Sequence, residues 1–476
     1  MSGRPDKDSL LELIRNGSPM TLRQQFRLTV LLSIPAIMAQ LSNIIMEYID
    51  AAMVGSLGAH ASASIGLVAT STWLVWGLCS SASTGFAVQV AHRTGAGDNE
   101  GARAVVRQSL AAVGLFSVVF AVIGCAISGR LPVWLGGEEA IVEDAAAYFR
   151  IFVLSLPLLQ LLSLSGSMLR CSGNILVPGM INIGMCVLDV CFNALLIFPT
   201  RTVAVAGLEL TLWGADLGVR GAALGTAAAM TVGAVSQFGY LWFRSRELRL
   251  AGTRGSFRIR RDCLREAVRI GFPIGAEHAM ICGAQIMTTI IVAPLGAVAI
   301  AAHSLAVTAE SLCYMPGYGI GDAATTLTGQ SIGARRRDLT RRFGRITVWT
   351  GIAVMTVMGA VMYFAAPLMM NIITPVEAIR SAGVEILRIE AFAEPMFAAS
   401  IVAYGVFVGA GDTLIPCGMN LGSMWAVRLT LAALLAPTLG LKGVWIAMCV
   451  ELCFRGAIFL VRLYGERWIK ISDTHA

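Results

Sequence analysis

The chain has 476 residues, of which 56% are hydrophobic and 14% charged, and its formal net charge is +7. A soluble domain carries about a quarter charged residues to solvate its surface, so these proportions exclude a soluble protein, and with it a nucleic-acid-binding protein. The eleven cysteines stand singly, nearly all in apolar runs, and form no CxxC pair, so no disulfide framework and no metal or other cofactor is expected. The composition indicates a membrane protein.

Twelve apolar runs follow a polar stretch of roughly 25 residues, which lacks the short apolar segment of a cleaved signal peptide. Each run is long enough to cross the hydrocarbon layer as a helix of about 20 residues. The predicted spans are 28–52, 62–90, 104–128, 145–169, 177–199, 219–243, 268–293, 297–327, 346–370, 384–408, 414–437 and 441–463. We therefore expect an all-α polytopic membrane protein with twelve transmembrane helices.

A constant offset relates the two halves of the chain. Pro35 and Pro273 are 273 − 35 = 238 residues apart. The same offset relates Pro157 to Pro395, Pro178 to Pro416, Leu57-Gly58-Ala59 to Leu295-Gly296-Ala297, and Gly173 to Gly411. Six helices per repeat is an even number, so the sequence predicts two six-helix bundles related by a parallel internal repeat, with a cavity between them. Of these prolines, Pro35, Pro157, Pro273 and Pro395 are expected to lie within helices and to kink them.

The repeat divides the chain into predicted segments. These are a tail at 1–27, a first bundle at 28–243, a basic linker at 244–267, a second bundle at 268–463 and a tail at 464–476. Arginines crowd the linker and the loops after the second and eighth spans, all on the side of both termini. The positive-inside rule therefore predicts that both termini are cytoplasmic, in a multi-pass protein of the bacterial inner membrane.

Ionisable residues within spans are costly and are functional candidates by default. In the first half, Asp50 lies near the end of the first span, and Glu47 shares its helix face. Asp189 and Asn193 share a face of the fifth span, and Thr226 of the sixth completes a polar cluster. Carboxylate, amide and hydroxyl oxygens hold either a sodium ion or a proton, so we expect Asp50, Asp189, Asn193 and Thr226 to bind the coupling ion.

The second half carries its own intramembrane carboxylates. Glu277 and Glu310 are predicted, with Glu47, to favour cationic substrates. The spacing of Glu451 and Arg455 predicts an ion pair within one helix, whereas Glu390 is expected either to pair with Arg388 or to face a cavity. The remaining candidates are His303, expected as a packing residue, Asp322, expected near water at a helix end, and Glu394.

Four segments carry family motifs. They are Tyr48–Gly55, Val90–Asp98, Ala293–Gly296 with Ala301–His303, and Gly409–Asp412. The first, YIDAAMVG, resembles the VDxxMVG signature of the multidrug and toxic compound extrusion (MATE) transporters, and the likeness covers about residues 28 to 465. The resemblance implies two bundles around a central cavity, and export of organic, often cationic, compounds against an inward flow of sodium ions or protons.

Residue by residue, the resemblance assigns the coupling site to the first half. Asp50 matches the family's first-helix coupling aspartate, and Thr226 matches a family threonine that neighbours the polar cluster of the fifth helix. The fifth helix of the family often reads Asn-x-x-x-Asp, whereas Asp189 and Asn193 here exchange the two types on the same face.

The second half departs from the family pattern. Glu277 matches the seventh-helix glutamate of one bacterial subgroup, but other members carry it where Ile281 stands, and Phe397 replaces a tenth-helix aspartate. These departures argue against a second cation site like theirs.

The sequence thus predicts a secondary active exporter that antiports organic cations against protons or sodium ions by alternating access. It is expected to be a monomer whose other partners are membrane lipids. A flippase for lipids or lipid-linked saccharides is the nearest alternative, although a strongly cationic groove and additional helices are not evident. A membrane-embedded enzyme is disfavoured, because the spans contain no HExxH or GxSxG motif.

Overall fold

The structure, a computed structural model, describes residues 6–205 and 208–470. The helices of the first half are α1 (Lys7–Arg15), α2 (Leu22–Gly55), α3 (Ala59–Gly95), α4 (Asn99–Ile127), α5 (Leu131–Trp134), α6 (Glu139–Leu154), α7 (Leu156–Cys171), α8 (Leu176–Leu196) and α9 (Gly218–Phe243). The helices of the second half are α10 (Arg261–Val292), α11 (Ala297–Gly333), α12 (Arg337–Ile373), α13 (Glu377–Glu390), α14 (Glu394–Gly409), α15 (Leu414–Gly422), α16 (Leu429–Leu439) and α17 (Leu441–Gly465). A 3₁₀ turn, Ala293–Leu295, joins α10 to α11, and a π-helical turn, Ser423–Arg428, joins α15 to α16.

Membrane-spanning helices account for most of this architecture. In the described residues, ten helical runs are long and apolar enough to cross a membrane. Two bent pairs also qualify: α6 with α7, bent by 48°, and α13 with α14, bent by 61°. Counting each pair as one span gives six spans in each half, which confirms the predicted twelve.

The helices extend beyond the predicted spans at their polar ends. α2 begins at Leu22, because Thr21 and Gln24 form a reciprocal capping box that satisfies free backbone N–H groups. α10 begins at Arg261, so residues 261–267 of the predicted linker 244–267 are helical. Hydropathy locates only the part of a helix that lies in hydrocarbon, and these basic first turns lie outside it.

Two of the four predicted proline kinks coincide with helix breaks. Pro157 stands in the first turn of α7 and Pro395 in the first turn of α14, each just after the bend of its pair. Proline lacks the N–H that a helix interior needs but is tolerated in a first turn, so each pair breaks there. By contrast, α2 and α10 continue without a break through Pro35 and Pro273.

The internal repeat is visible in the backbone conformation. Three pairs of residues 238 positions apart share a positive φ angle. The pairs are Gly58 at +111° with Gly296 at +98°, Gly97 at +75° with Arg335 at +56°, and Gly173 at +97° with Gly411 at +73°. Corresponding turns therefore have the same handedness in both halves, as the predicted parallel repeat requires.

A β-hairpin adds to the helical fold between α8 and α9. Its strands, β1 (Pro199–Val205) and β2 (Leu208–Ala215), pair antiparallel with Arg201 opposite Leu212 and Val203 opposite Leu210. It occupies the loop after the fifth span, which is longer than the corresponding loop between α16 and α17, so the offset of 238 residues ends there. The sequence analysis did not predict it.

The N-terminal tail predicted at 1–27 contains an amphipathic helix. Asp6 caps α1 by accepting a hydrogen bond from the backbone N–H of Lys7, and Leu10, Leu11 and Ile14 form its buried face. The first five residues of this tail, and residues 471–476 of the tail predicted at 464–476, lie outside the described residues.

The two bundles close tightly where α3 and α11 finish, which we call the closed end. A Cβ atom on Gly95 would overlap the backbone of Gln330, and one on Gly333 would overlap the backbone of His92. Only glycine allows helices to cross this closely. The His92 ring also hydrogen-bonds to the carbonyl of Gly409 across 2.9 Å. The bundles therefore meet backbone to backbone at this end.

Part of one family motif shapes the turn at the closed end. Asp98 caps α4 by accepting a hydrogen bond of 2.8 Å from the backbone N–H of Gly101. That hydrogen bond, reinforced by the guanidinium of Arg93 at 2.8 Å, lowers the pKa of Asp98 below its ordinary value. The acidic end of the motif thus serves as a helix cap.

Candidate ion and substrate sites

Three side chains predicted to bind a cation meet inside the first bundle. α2 supplies Asp50, and α8 supplies Asp189 and Asn193, which are four residues apart and therefore share a helix face. The side-chain amide of Asn193 donates a hydrogen bond of 2.9 Å to Asp50 Oδ1 and one of 3.2 Å to Asp189 Oδ2. One amide thus holds carboxyl groups from two different helices.

The two carboxyl groups also contact each other. Asp50 and Asp189 lie within hydrogen-bonding contact, and Asp189 interacts with the side chain of Thr226 on α9. Two ionised carboxylates this close repel each other, so a shared proton or a cation between them is needed to stabilise the contact. The structure therefore brings together all four residues predicted to bind the coupling ion.

Two oxygen atoms of this cluster receive no hydrogen bond from the described residues. They are Asp189 Oδ1 and Asn193 Oδ1, and both residues are only 1% exposed. Buried acceptors without a donor are costly, and hard cations take oxygen ligands of this kind. Since no group of three or more His, Cys, Asp or Glu in the described chain could hold a metal ion, a sodium ion here would also need the amide and hydroxyl oxygens.

Sequence reasoning missed three neighbours of this site. Asn182 donates a hydrogen bond of 2.8 Å to Asn43, and Tyr148 on α6 interacts electrostatically with both aspartates. Asn43 precedes Asp50 by seven residues, and Asn182 precedes Asp189 by seven. Seven residues are about two helical turns, so this spacing could have placed both asparagines on the site-facing sides of α2 and α8.

Glu277, a predicted substrate-binding residue, is held inside the second bundle. Its carboxylate accepts hydrogen bonds of 2.6 Å from the Tyr404 hydroxyl and of 2.6 Å from the Asn420 amide. The residue is buried, and its partners come from α14 and α15. Glu277 thus connects three helices of the bundle.

Glu310, the second predicted substrate-binding residue, lies in a buried acidic cluster with Glu390 and Glu394. Each of the three interacts electrostatically with at least one other member, and all are at most 5% exposed. The four carboxylate oxygens of Glu390 and Glu394 accept no hydrogen bond from the described residues. Arg388, a predicted alternative partner of Glu390, instead donates to the carbonyl of Tyr363.

A neighbouring carboxylate is fully paired. Glu451 accepts two hydrogen bonds of 2.7 Å from Arg455, which confirms the predicted ion pair. It also pairs with Arg428 at 2.9 Å and accepts a hydrogen bond from Ser423, both in the π-helical turn. Glu277, Glu310, Glu390 and Glu394 form no ion pair in the described chain, so the interior of this bundle is acidic.

Glu47, the third predicted substrate-binding residue, differs from the other two because it is exposed. The adjacent Tyr48 reaches the second bundle, where its hydroxyl donates to the carbonyl of Thr308 and lies 3.0 Å from Ser311 Oγ. Glu47 therefore stands beside a contact between the two bundles and is accessible in this conformation.

Two further candidates have structural roles. His303 accepts a hydrogen bond of 3.1 Å from the indole of Trp445, in keeping with the predicted packing role. Asp322, expected near water, is half-buried and accepts a hydrogen bond of 3.3 Å from Gln40 of the other bundle.

Comparison with known families decides which kind of protein this is. The MatE family model matches residues 35–195 and, a second time, residues 273–434. The chain belongs to the MatE family. The two matched segments start 238 residues apart, at Pro35 and Pro273, and one lies in each half of the structure. MatE proteins are membrane transporters, so the chain is a multi-pass transporter rather than an enzyme.

Curated relatives cover nearly the whole chain. One from Thermotoga maritima, described as a probable multidrug resistance protein NorM, is 25% identical over 442 residues, which cover 92% of each chain. Another of the same description, from Deinococcus radiodurans, is 28% identical over 455 residues, covering 93% of this chain and 96% of the relative.

Solved structures show the same MatE fold. An outward-facing multidrug resistance MATE family transporter of the MOP superfamily aligns with a TM-score of 0.85 at 19% identity, covering 96% of this chain and 98% of the other. A MOP superfamily transporter from Pyrococcus furiosus, also at 19% identity, aligns with a TM-score of 0.85 over 96% and 97% of the two chains. At this identity the likeness concerns the fold.

Proposed function

We propose that this MatE protein is a secondary active multidrug exporter that antiports organic cations against protons or sodium ions. The observation that carries the proposal is that one Asn193 amide holds the half-buried Asp50 and the buried Asp189, a pair of carboxyl groups that needs a proton or cation to be stable. The description of its relatives as probable multidrug resistance proteins supports an exporter.

Alternating access would couple the ion to the substrate. The bundles meet at the closed end. Because we propose that both termini are cytoplasmic, we assign this end to the cytoplasmic side of the inner membrane. Leu57 and Val298, near the starts of α3 and α11, are exposed at the opposite end. Ion binding between Asp50 and Asp189 drives transport only if the ion binds the two states with different affinity.

The acidic interior of the second bundle favours positively charged substrates. Glu310, Glu390 and Glu394 are buried without an ion-pair partner in the described chain, and Glu47 is exposed beside the contact between the bundles. Since an isolated buried carboxylate is costly, either protons or a cationic substrate must neutralise these groups. We assign Glu47, Glu277 and Glu310 to the substrate path, with Glu47 accessible first.

Efflux of a fluorescent organic cation from cells lacking their own exporters tests this proposal. Asp50→Asn removes one carboxylate of the ion site while keeping its shape, so efflux should fall to background. Asp262→Asn is the matched control, because Asp262 is fully exposed at the start of α10 and should retain efflux. Replacing sodium with potassium and collapsing the pH gradient in separate experiments should identify the coupling ion.

The result that would overturn the proposal is near-normal efflux by Asp50→Asn at equal protein level. If neither variant nor the unaltered protein exports organic cations, although correctly inserted, the flippase alternative would be favoured. It can then be tested directly with labelled lipids in liposomes.

A further inference from the structure

α1 lies outside the segments that match the MatE family, yet it contacts both bundles at the closed end. Its buried side chains Leu10, Leu11 and Ile14 belong to one apolar cluster with residues of both halves. The other members of this cluster are Leu28, Leu32, Ala36 and Ile175 in the first half, and Ala323, Leu327, Leu339 and Phe343 in the second half. The helix therefore covers the seam between the bundles.

Polar contacts at the end of α1 follow the same pattern. Arg15 donates a hydrogen bond of 3.0 Å to the carbonyl of Ser172 in the first half and one of 3.0 Å to the carboxylate of Glu247, in the linker directly after α9. The same guanidinium lies 3.5 Å from Gln330 on α11 in the second half. The carbonyl of Ser18, just beyond α1, accepts a hydrogen bond of 2.9 Å from Arg336 of the second half. The segment formed by α1 and the residues up to Ser18 is thus hydrogen-bonded to both bundles.

Opening of the closed end must break these contacts. When the bundles separate there, the apolar face of α1 loses its partners on at least one side, and Arg15 cannot reach both bundles. We propose that α1 is a detachable strap that stabilises the state closed at this end and thereby sets the equilibrium between the two transport states. A short amphipathic helix released in this way can place its apolar face in the membrane interface.

This inference rests on the alternating access of the proposed function, but its test needs neither substrate nor ion gradient. Spin labels on cysteines replacing Glu100 and Arg337, in a chain free of its native cysteines, report the separation of the bundles. Both residues are exposed, in the first turns of α4 and α12, directly beyond the crossing of α3 and α11. The unaltered chain in lipid nanodiscs should give mainly the short distance.

Leu11→Glu should shift this distribution towards longer distances. Burial of one leucine side chain is worth about a tenfold change in an equilibrium, so the ratio of open to closed should rise about tenfold. Ser9→Glu introduces the same residue on the exposed face of α1 and is expected to leave the distribution unchanged. Arg15→Ala, which keeps the apolar face, should shift the ratio in the same direction if Leu11→Glu fails to fold.

Deletion of residues 2–16 provides the decisive comparison. A longer-distance population in the deletion protein supports the strap, whatever the efflux results for Asp50. An unchanged distance distribution in both the deletion protein and Arg15→Ala would show that α1 is only a structural appendage. Loss of efflux by Asp50→Asn concerns the ion site alone, so the two proposals can fail separately.

Discussion

Glu451 is the buried carboxylate whose removal should cost most stability. It pairs with both Arg428 and Arg455 and is inaccessible to solvent. Glu451→Gln leaves two guanidinium groups buried without their counter-charge, and breaking a buried ion pair in this way costs about 3–5 kcal/mol. We expect a clearly lowered Tm for the detergent-purified variant, measured by thermal unfolding.

The control for this prediction is Glu385→Gln. Glu385 pairs with Lys442 at 2.5 Å, but both side chains are about half exposed, so the loss should be within about 0.5 kcal/mol. Equal Tm values for the two variants would contradict the assigned role of Glu451.

Single residues could be predicted where their partners are close in sequence or match a motif. Asp189 and Asn193 are one turn apart, and Asp50 lies in a recognisable signature, so the ion site could be assembled before the structure was known. Arg428 could not be assigned to Glu451, because 23 residues and a π-helical turn separate them. The absence of hydrogen-bond donors to Glu390 and Glu394 in the described residues could not be predicted either. It depends on tertiary packing, which helical periodicity does not describe.

At the scale of elements, the close approach of α8 and α9 depends on Gly225. A Cβ atom at this position would overlap the side-chain oxygen of Asn193 and approach its backbone N. Gly225→Ala should therefore displace the amide that holds Asp50 and Asp189, and reduce efflux at least tenfold without loss of protein. Gly184→Ala on α8 is the control, because a Cβ atom there meets no neighbour and efflux should persist. Normal efflux by Gly225→Ala would show that Asn193 need not be held so tightly.

Elements were predictable where hydropathy or proline marks them. The twelve spans and the breaks at Pro157 and Pro395 follow from such local signals. α1 was missed because its apolar face has only three buried residues, too few to stand out in a tail that also carries Arg4 and Lys7. The hairpin between α8 and α9 was missed because it belongs to a loop where the repeat gives no guidance.

At the scale of the whole molecule, the orientation in the membrane can be tested. The arginine-rich loops and both termini lie on one side, so green fluorescent protein attached at the C-terminus should fluoresce in the cytoplasm. Alkaline phosphatase fused after Asp216, in the loop that follows the hairpin, should be exported and active. The opposite pattern of reporter activity would show that the termini lie outside the cytoplasm and that the closed end faces the periplasm.

The corresponding turns at Gly97 and Arg335 show which features the two halves still share after the internal duplication. Both residues have a left-handed backbone, although arginine pays about 1–2 kcal/mol for a conformation that glycine adopts freely. The two copies thus differ in the residue at the turn and share the turn itself. The long helices α11 and α12 on either side of Arg335 fix the direction of the chain at this turn. The backbone conformation is therefore more similar between the two halves than the residues are. Sequence searches that weigh residue identity alone will underestimate how alike the two halves remain.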